Sequence, residues 1–240
     1  GSMGRNHARV LNEISDLVAV IDPNESVGRL VSKECKTEWY SDYKEILGEL
    51  DAVSVAVPTI LHKEVTFDLI NAGISVLVEK PLAGNVSDAE AIVNFANSKG
   101  VVLAVGHIER YNPVINLSKQ KIVDSKWGDI LTLSAKRFSS YPSRISDVGV
   151  LFDLTIHDVD IIRYLADSKV VGVFASGGKI KSHSNEDFVN LHLHFENGIL
   201  GLCETNWLTP MKVRKLSITT TSNFIDIDYL SQSIEVLSSD

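Results

Sequence analysis

The chain has 240 residues, of which 44% are hydrophobic and 22% charged, and its net charge is −8. That length carries one large or two modest cores, the ordinary composition excludes a disordered chain, and the acidic balance excludes non-specific nucleic-acid binding, which needs a basic footprint. No apolar run reaches the ~18 residues of a membrane-spanning helix, no signal-peptide pattern opens the chain, and Cys35 and Cys203 show no paired spacing, so a cytoplasmic protein without membrane contact is expected.

Gly1-Ser2-Met3-Gly4 runs directly into a helical pattern. Leu17–Ile21 is an apolar run that ends in Asp22-Pro23, and a polar helix follows it towards Thr37–Tyr40. Leu50–Val57 is a second buried-strand run, closed by Pro58. A helix from about Ile60 to Ala72 stops at Gly73, an ordinary residue just past a helix end. Ile74–Val78 is a third strand run; Ser87 is expected to cap a helix over 88–98, and Val101–Val105 is a fourth. Continuous apolar runs alternating with helices predict a parallel sheet covered on both faces.

Gly1 and Gly4 have the spacing of the last two glycines of G-x-G-x-x-G, and Asp22 stands 18 residues after Gly4 at a strand end. In a dinucleotide-binding fold, glycines let the backbone approach a pyrophosphate, the helix N-terminus faces it, and an acid about 20 residues on accepts from a ribose hydroxyl. Asp22 also repels a 2′-phosphate, so NAD is favoured over NADP. The first glycine and its strand are expected to lie before residue 1.

Glu79-Lys80-Pro81 closes the third strand run. Proline donates no N–H and cannot continue a central strand, so the chain leaves the sheet there, with Lys80 at the strand's carboxyl end. In open α/β sheets ligands bind at that end.

Near residue 107 the pattern changes. Residues 114–125 read as helix, Ile130–Phe138 as a strand with one buried face, and Gly149–Asp167 as helix. Alternating strands follow around 170–178, 187–196, 198–208, 213–221 and 223–237, with Asn197-Gly198 as a hairpin turn. The expected organisation is therefore α/β, a Rossmann-type parallel-sheet domain over 1–107 lacking its first strand. An α+β domain over 108–240 follows, with a large, mostly antiparallel open sheet and a C-terminus expected to be cut short. Asp153 and His157 are four apart on one helix face, with Asp160 on the same side. A carboxylate one turn from an imidazole makes a proton carrier near neutrality; the plain alternative is a surface Asp–His pair. His157-Asp158 also leaves open a metal phosphohydrolase.

The glycine pair with its strand-ending Asp22, Glu79-Lys80-Pro81, and Asp153 with His157-Asp158 occur in an order that resembles the glucose–fructose oxidoreductase / inositol dehydrogenase family over essentially the whole chain. Val57-Pro58-Thr59 with His62 resembles that family's nicotinamide-side loop. Gly106–Pro113 and the run from Pro142-Ser143-Arg144 to Asp160 resemble members that oxidise the 3-position of a nucleotide-linked N-acetylamino sugar. The resemblance implies an NAD-dependent dehydrogenase that needs no metal, with Lys80 and His157 as catalytic pair and Asp153 as support. It assigns Gly1, Ser2, Met3, Gly4, Asp22, Pro58, His62 and Glu79 to the cofactor. Arg110, Tyr111, Asn112 and Arg144 are assigned to the substrate, because arginine forks match diphosphate oxygens. A sugar or nucleotide sugar is the expected partner, and the C-terminal sheet the expected interface of a homodimer or homotetramer. A free-sugar or inositol dehydrogenase of the same family and a non-catalytic dinucleotide-binding protein are the alternatives.

Overall fold

The structure, a computed structural model, describes residues 1–142, 148–181 and 185–238. They fall into two compact units, Gly1–Gly106 and His107–Asp240. No helix among the described residues is long and apolar enough to cross a membrane.

The first unit runs α1 (Ser2–Ile14), β1 (Ala19–Ile21), α2 (Glu25–Cys35), β2 (Glu38–Tyr40), β3 (Ala52–Val55), α3 (His62–Asn71), β4 (Ser75–Val78), α4 (Val86–Lys99) and β5 (Leu103–Val105). Every strand pair is parallel, as the alternation of apolar runs and helices requires. The sheet comes in two pieces, β1–β2 and β3–β4–β5. Its main core gathers Val55, Val76 and Val78 from the strands with Leu69, Ile70 and Ile92 from α3 and α4. A smaller core joins Ala8, Val31 and Cys35 of α1 and α2.

One local expectation differs from the structure, and the structure adds one strand. Asn85, not Ser87, caps α4: its backbone is extended and its side chain accepts from the Asp88 N–H at 2.9 Å, so the helix begins at Val86 and Ser87 falls inside the first turn. Glu38–Tyr40, to which the sequence reading assigned no element, forms β2, in register with Ala19–Ile21.

The second unit starts with a 3-10 turn over Ile108–Tyr111 and α5 (Pro113–Val123), then β6 (Ile130–Phe138). The expected helix over 149–167 opens instead as a π-helical turn, Leu151–Thr155, and continues as α6 (Ile156–Ala166). Glu186 sets this start: its carbonyl accepts from Val150 N–H and its carboxylate from Leu151 N–H. β7 (Val170–Gly178), β8 (Phe188–Phe195), β9 (Leu200–Asn206), β10 (Val213–Thr220), β11 (Asn223–Asp228) and β12 (Ser233–Ser238) complete it. The expected strand over 223–237 is thus a hairpin, turned at Asp228, whose carboxylate accepts from the Leu230 and Ser231 N–H groups.

The seven strands lie in the order β12-β11-β10-β6-β9-β8-β7, antiparallel except for the β6–β9 pair. Period-two alternation turns Leu133, Ala135, Leu191, Leu193, Leu216 and Ile218 inward against Val114 and Ile115 of α5 and Ile161, Ile162 and Leu165 of α6. The opposite face carries Lys136, Asn190, His192, His194 and Glu204, all exposed.

Candidate active site

In the first unit the expected cofactor residues converge on α1 and the strand ends beside it. The Gly1 nitrogen lies 3.6 Å from Asp22 Oδ2 at the end of β1. A Cβ on Gly4 would meet Ala56, just past β3, at 3.7 Å. One turn further along α1, His7 Nδ1 stands 2.5 Å from Ser54 Oγ and Nε2 stands 2.8 Å from Glu79 Oε1. The carboxylate acceptor places a proton on Nε2.

Glu79 Oε2 also accepts from the Lys80 backbone N–H at 3.1 Å. Gly106 makes room for this carboxylate, since a Cβ there would stand 3.1 Å from it. Burial works against the charge on Glu79, but the His7 and Lys80 hydrogen bonds and positive charges outweigh it and hold the carboxyl below its ordinary range. Lys80 itself sits at the β4 exit, and the Lys80–Pro81 peptide is cis.

Pro58 leads into a 3-10 turn, Thr59–Leu61, that runs on into α3. His62 is buried, its Nδ1 2.9 Å from the Pro81 carbonyl and its Nε2 3.0 Å from the Val57 carbonyl. It therefore bridges the segments leaving β3 and β4, with both nitrogens turned to backbone. Ser2 and Met3 form the first turn of α1, and Met3 is exposed.

In the second unit Asp153 lies in the π turn and His157 in the first turn of α6, each half-buried. Asp160 takes Arg110 as partner: Nε to Oδ2 at 2.8 Å and Nη2 to Oδ1 at 2.6 Å, with the guanidinium over the Tyr164 ring. His107 Nδ1 stands 3.7 Å from the same carboxylate. Asn112 caps α5, accepting from the Val114 N–H, and Tyr111 is exposed. Arg144 lies outside the described residues.

The sequence reading missed a buried charge network. Arg137 donates to Asp158 and, at 2.9 Å, to Glu109, which also faces Arg214 at 3.7 Å. Burial opposes the charge on Arg137, and the carboxylates of Asp158 and Glu109 overcome it, so the guanidinium titrates above its ordinary range. The signal was present: Leu133, Ala135 and Arg137 share one strand parity, so an inward arginine needed carboxylate partners. The network also removes the phosphohydrolase alternative, because both Asp158 oxygens accept from Arg137 inside the core and are not turned to a metal.

A family model described as an oxidoreductase family with NAD-binding Rossmann fold matches residues 1–107, and the GFO/IDH/MocA C-terminal domain model matches residues 115–225. The chain belongs to the GFO/IDH/MocA oxidoreductase family. Among family members, the UDP-N-acetylglucosamine 3-dehydrogenase of Acidithiobacillus ferrooxidans is 28% identical over 98% of this chain and 74% of its own. Its crystal structure superposes with a TM-score of 0.91, covering 100% of this chain and 80% of that one. The NAD(+)-dependent scyllo-inositol 2-dehydrogenase of Bacillus subtilis is 26% identical over 88% of this chain and 66% of its own. The WlbA dehydrogenase of Bordetella pertussis, solved with NADH and UDP-GlcNAcA, has a TM-score of 0.91 at 21% identity over 100% of this chain and 79% of its own, which establishes shared fold.

The first unit is thus an NAD-binding Rossmann domain, and its residues fit the cofactor. No side chain caps α1, and the carboxylate of Asp22 stands beside that helix end, an arrangement that a pyrophosphate and its ribose would fit.

Proposed function

We propose that the protein is an NAD-dependent dehydrogenase that oxidises a secondary alcohol of a nucleotide sugar, a uridine-diphosphate N-acetylamino sugar at its 3-position. The observation that carries this reading is the match to UDP-N-acetylglucosamine 3-dehydrogenase over 98% of the chain, with Lys80 at the β4 exit, Asp153 in the π turn and His157 in the first turn of α6.

When bound, NAD supplies the hydride acceptor. The pyrophosphate would rest on the α1 N-terminus at Gly1, Ser2, Met3 and Gly4, the ribose hydroxyls on Asp22, and the nicotinamide side beside Pro58, His62 and Glu79. Lys80 holds the substrate hydroxyl oxygen and eases loss of its proton. His157, supported by Asp153, accepts that proton as the C–H bond breaks and the carbonyl forms. Arg110, Tyr111, Asn112 and Arg144 are the residues proposed for the sugar and diphosphate. The fork that Arg110 shares with Asp160 leaves Arg144 as the stronger diphosphate candidate.

The open face of the second unit's sheet is the proposed interface of a homodimer or homotetramer, since it exposes Phe174, Leu200 and Phe224 among its polar residues. Buried thiols at Cys35 and Cys203 suit a reducing cytoplasm. The deciding experiment is a screen of uridine-diphosphate sugars, free sugars and inositols for NAD reduction, followed by NADH absorbance. The reading expects the N-acetylamino nucleotide sugar to be preferred. Equal turnover of a free sugar or inositol would replace it with the inositol-dehydrogenase reading, for which the Bacillus subtilis relative speaks. NADH binding with no turnover of any sugar would favour a non-catalytic role.

A further inference from the structure

Asp22 leaves β1 with three of its atoms already tied. Its N–H donates to the Tyr40 carbonyl at 3.2 Å, and its Oδ1 accepts from the Asn24 N–H at 2.9 Å. Its carbonyl accepts from the Trp39 indole Nε1 at 3.1 Å. Oδ2 is the atom that faces the Gly1 nitrogen. Two of these bonds belong to the strand ladder and to a local turn. The third comes from a side chain, and that side chain is itself held.

The indole lies against α2 where that helix has no side chain. A Cβ at Gly28 would stand 2.0 Å from Trp39 Nε1 and 2.2 Å from Cδ1. Glycine is unfavourable inside a helix, so its place in α2 asks for a packing reason, and the ring supplies one. The Arg29 guanidinium covers the ring at 4.5 Å. Helix α2 and strand β2 therefore fix the indole, and the indole fixes the Asp22 backbone.

We propose that Trp39, admitted by Gly28, is a positioning residue that sets the preference of this protein for NAD over NADP by holding Asp22 in place before the ligand arrives. The proposal rests on the reading of Asp22 as the acid that accepts from the ribose hydroxyl. An acceptor already oriented loses little freedom on binding. An Asp22 released from the indole must be ordered by the ligand, and a carboxylate free to swing away also repels a 2′-phosphate less.

Trp39→Phe keeps a ring over Gly28 and removes the N–H. The test titrates the protein with NADH by nicotinamide fluorescence, and with NADPH by competition, in the wild type, Trp39→Phe, Asp22→Ala and the double variant. In Trp39→Phe the NADH Kd should rise about threefold to tenfold, the scale of one hydrogen bond, and the preference over NADPH should fall with it. A general loss of fold would weaken both ligands together and lower the melting temperature. In the Asp22→Ala background Trp39→Phe should change the preference no further. A wild-type preference in Trp39→Phe, with the preference lost in Asp22→Ala, overturns the proposal and leaves Asp22 as the ribose acid. An unchanged preference in Asp22→Ala removes the reading of Asp22 and the proposal together.

Discussion

Arg137 Nε stands 3.0 Å from each carboxylate oxygen of Asp158, and neither side chain is more than 2% exposed. The pair ties β6 to α6 one residue after His157. Removing one partner leaves a buried charge without compensation, which costs about 3–5 kcal/mol, whereas replacing both with apolar side chains of similar volume is far milder. Arg137→Met and Asp158→Leu should each cost that much in urea unfolding, and the double variant much less than their sum. Additive single effects would show that the two groups do not depend on each other.

The His7–Glu79 contact predicts a pH dependence of stability. The Glu79 carboxyl titrates below its ordinary value of 4.5 in the folded protein. A carboxyl lowered in this way contributes stability that is fully present above about 4.5 and is lost as pH falls through the lowered folded value. Melting temperatures measured between roughly pH 3 and 6 should fall less steeply towards acid in Glu79→Gln than in the wild type. In His7→Ala the main opposition to burial is gone, so the folded value rises towards or past the ordinary one and the acid limb should likewise be shallower than in the wild type. Identical acid limbs in all three proteins would contradict the argument.

For the proposed chemistry, Lys80→Ala and His157→Ala should each lower kcat by roughly two orders of magnitude or more. NADH affinity, measured by fluorescence titration, should stay near the wild-type value. A variant that loses NADH binding in step with turnover would place its residue with the cofactor instead.

Cys203 gives a simple probe of the second unit's core. Burial pushes its thiol well above the ordinary range, with the Asp158 charge adding to the effect and Arg137 opposing it. The thiolate is the reactive form, so native Cys203 should react with a thiol reagent at least about a hundredfold more slowly than the unfolded chain. Mass mapping of the labelled peptide separates it from Cys35. Rapid native labelling would mean that β9 opens readily.

Much of this architecture was legible because burial leaves a period. The runs ending at Ile21, Val57 and Val78 read as parallel strands, and the alternation over β6 to β10 read as a sheet with one covered face. What stayed hidden was set by single hydrogen bonds. Strand β2 has three residues and no apolar run, and it is held by its pairing to β1. The turn between β11 and β12 has no glycine or proline; Asp228 makes it and Gln232 takes a positive φ of 54°, so the alternation seemed to run straight through. The π turn before α6 depends on Glu186, 35 residues away in sequence from the Leu151 N–H that it accepts. Among the candidate residues, Asp22 and Lys80 stood out through their places at strand ends and His157 through its place on a helix face. His7 and Trp39 did not, because their importance lies in what they touch.

The place of β6 in its sheet has a consequence for how the chain folds. Strands β7, β8 and β9 form one antiparallel meander and β10, β11 and β12 another, each built from neighbours in sequence. β6 is made before all of them and lies between β9 and β10. Pairing Thr132 with Leu200 closes a loop of roughly 70 residues, and loop closure of that kind must be met before its contacts repay it. On the ribosome β6 therefore emerges before both of the strands it pairs with. Until β9 and β10 are made it is a strand without its strand partners, and this interval is when the chain is most exposed to misassembly.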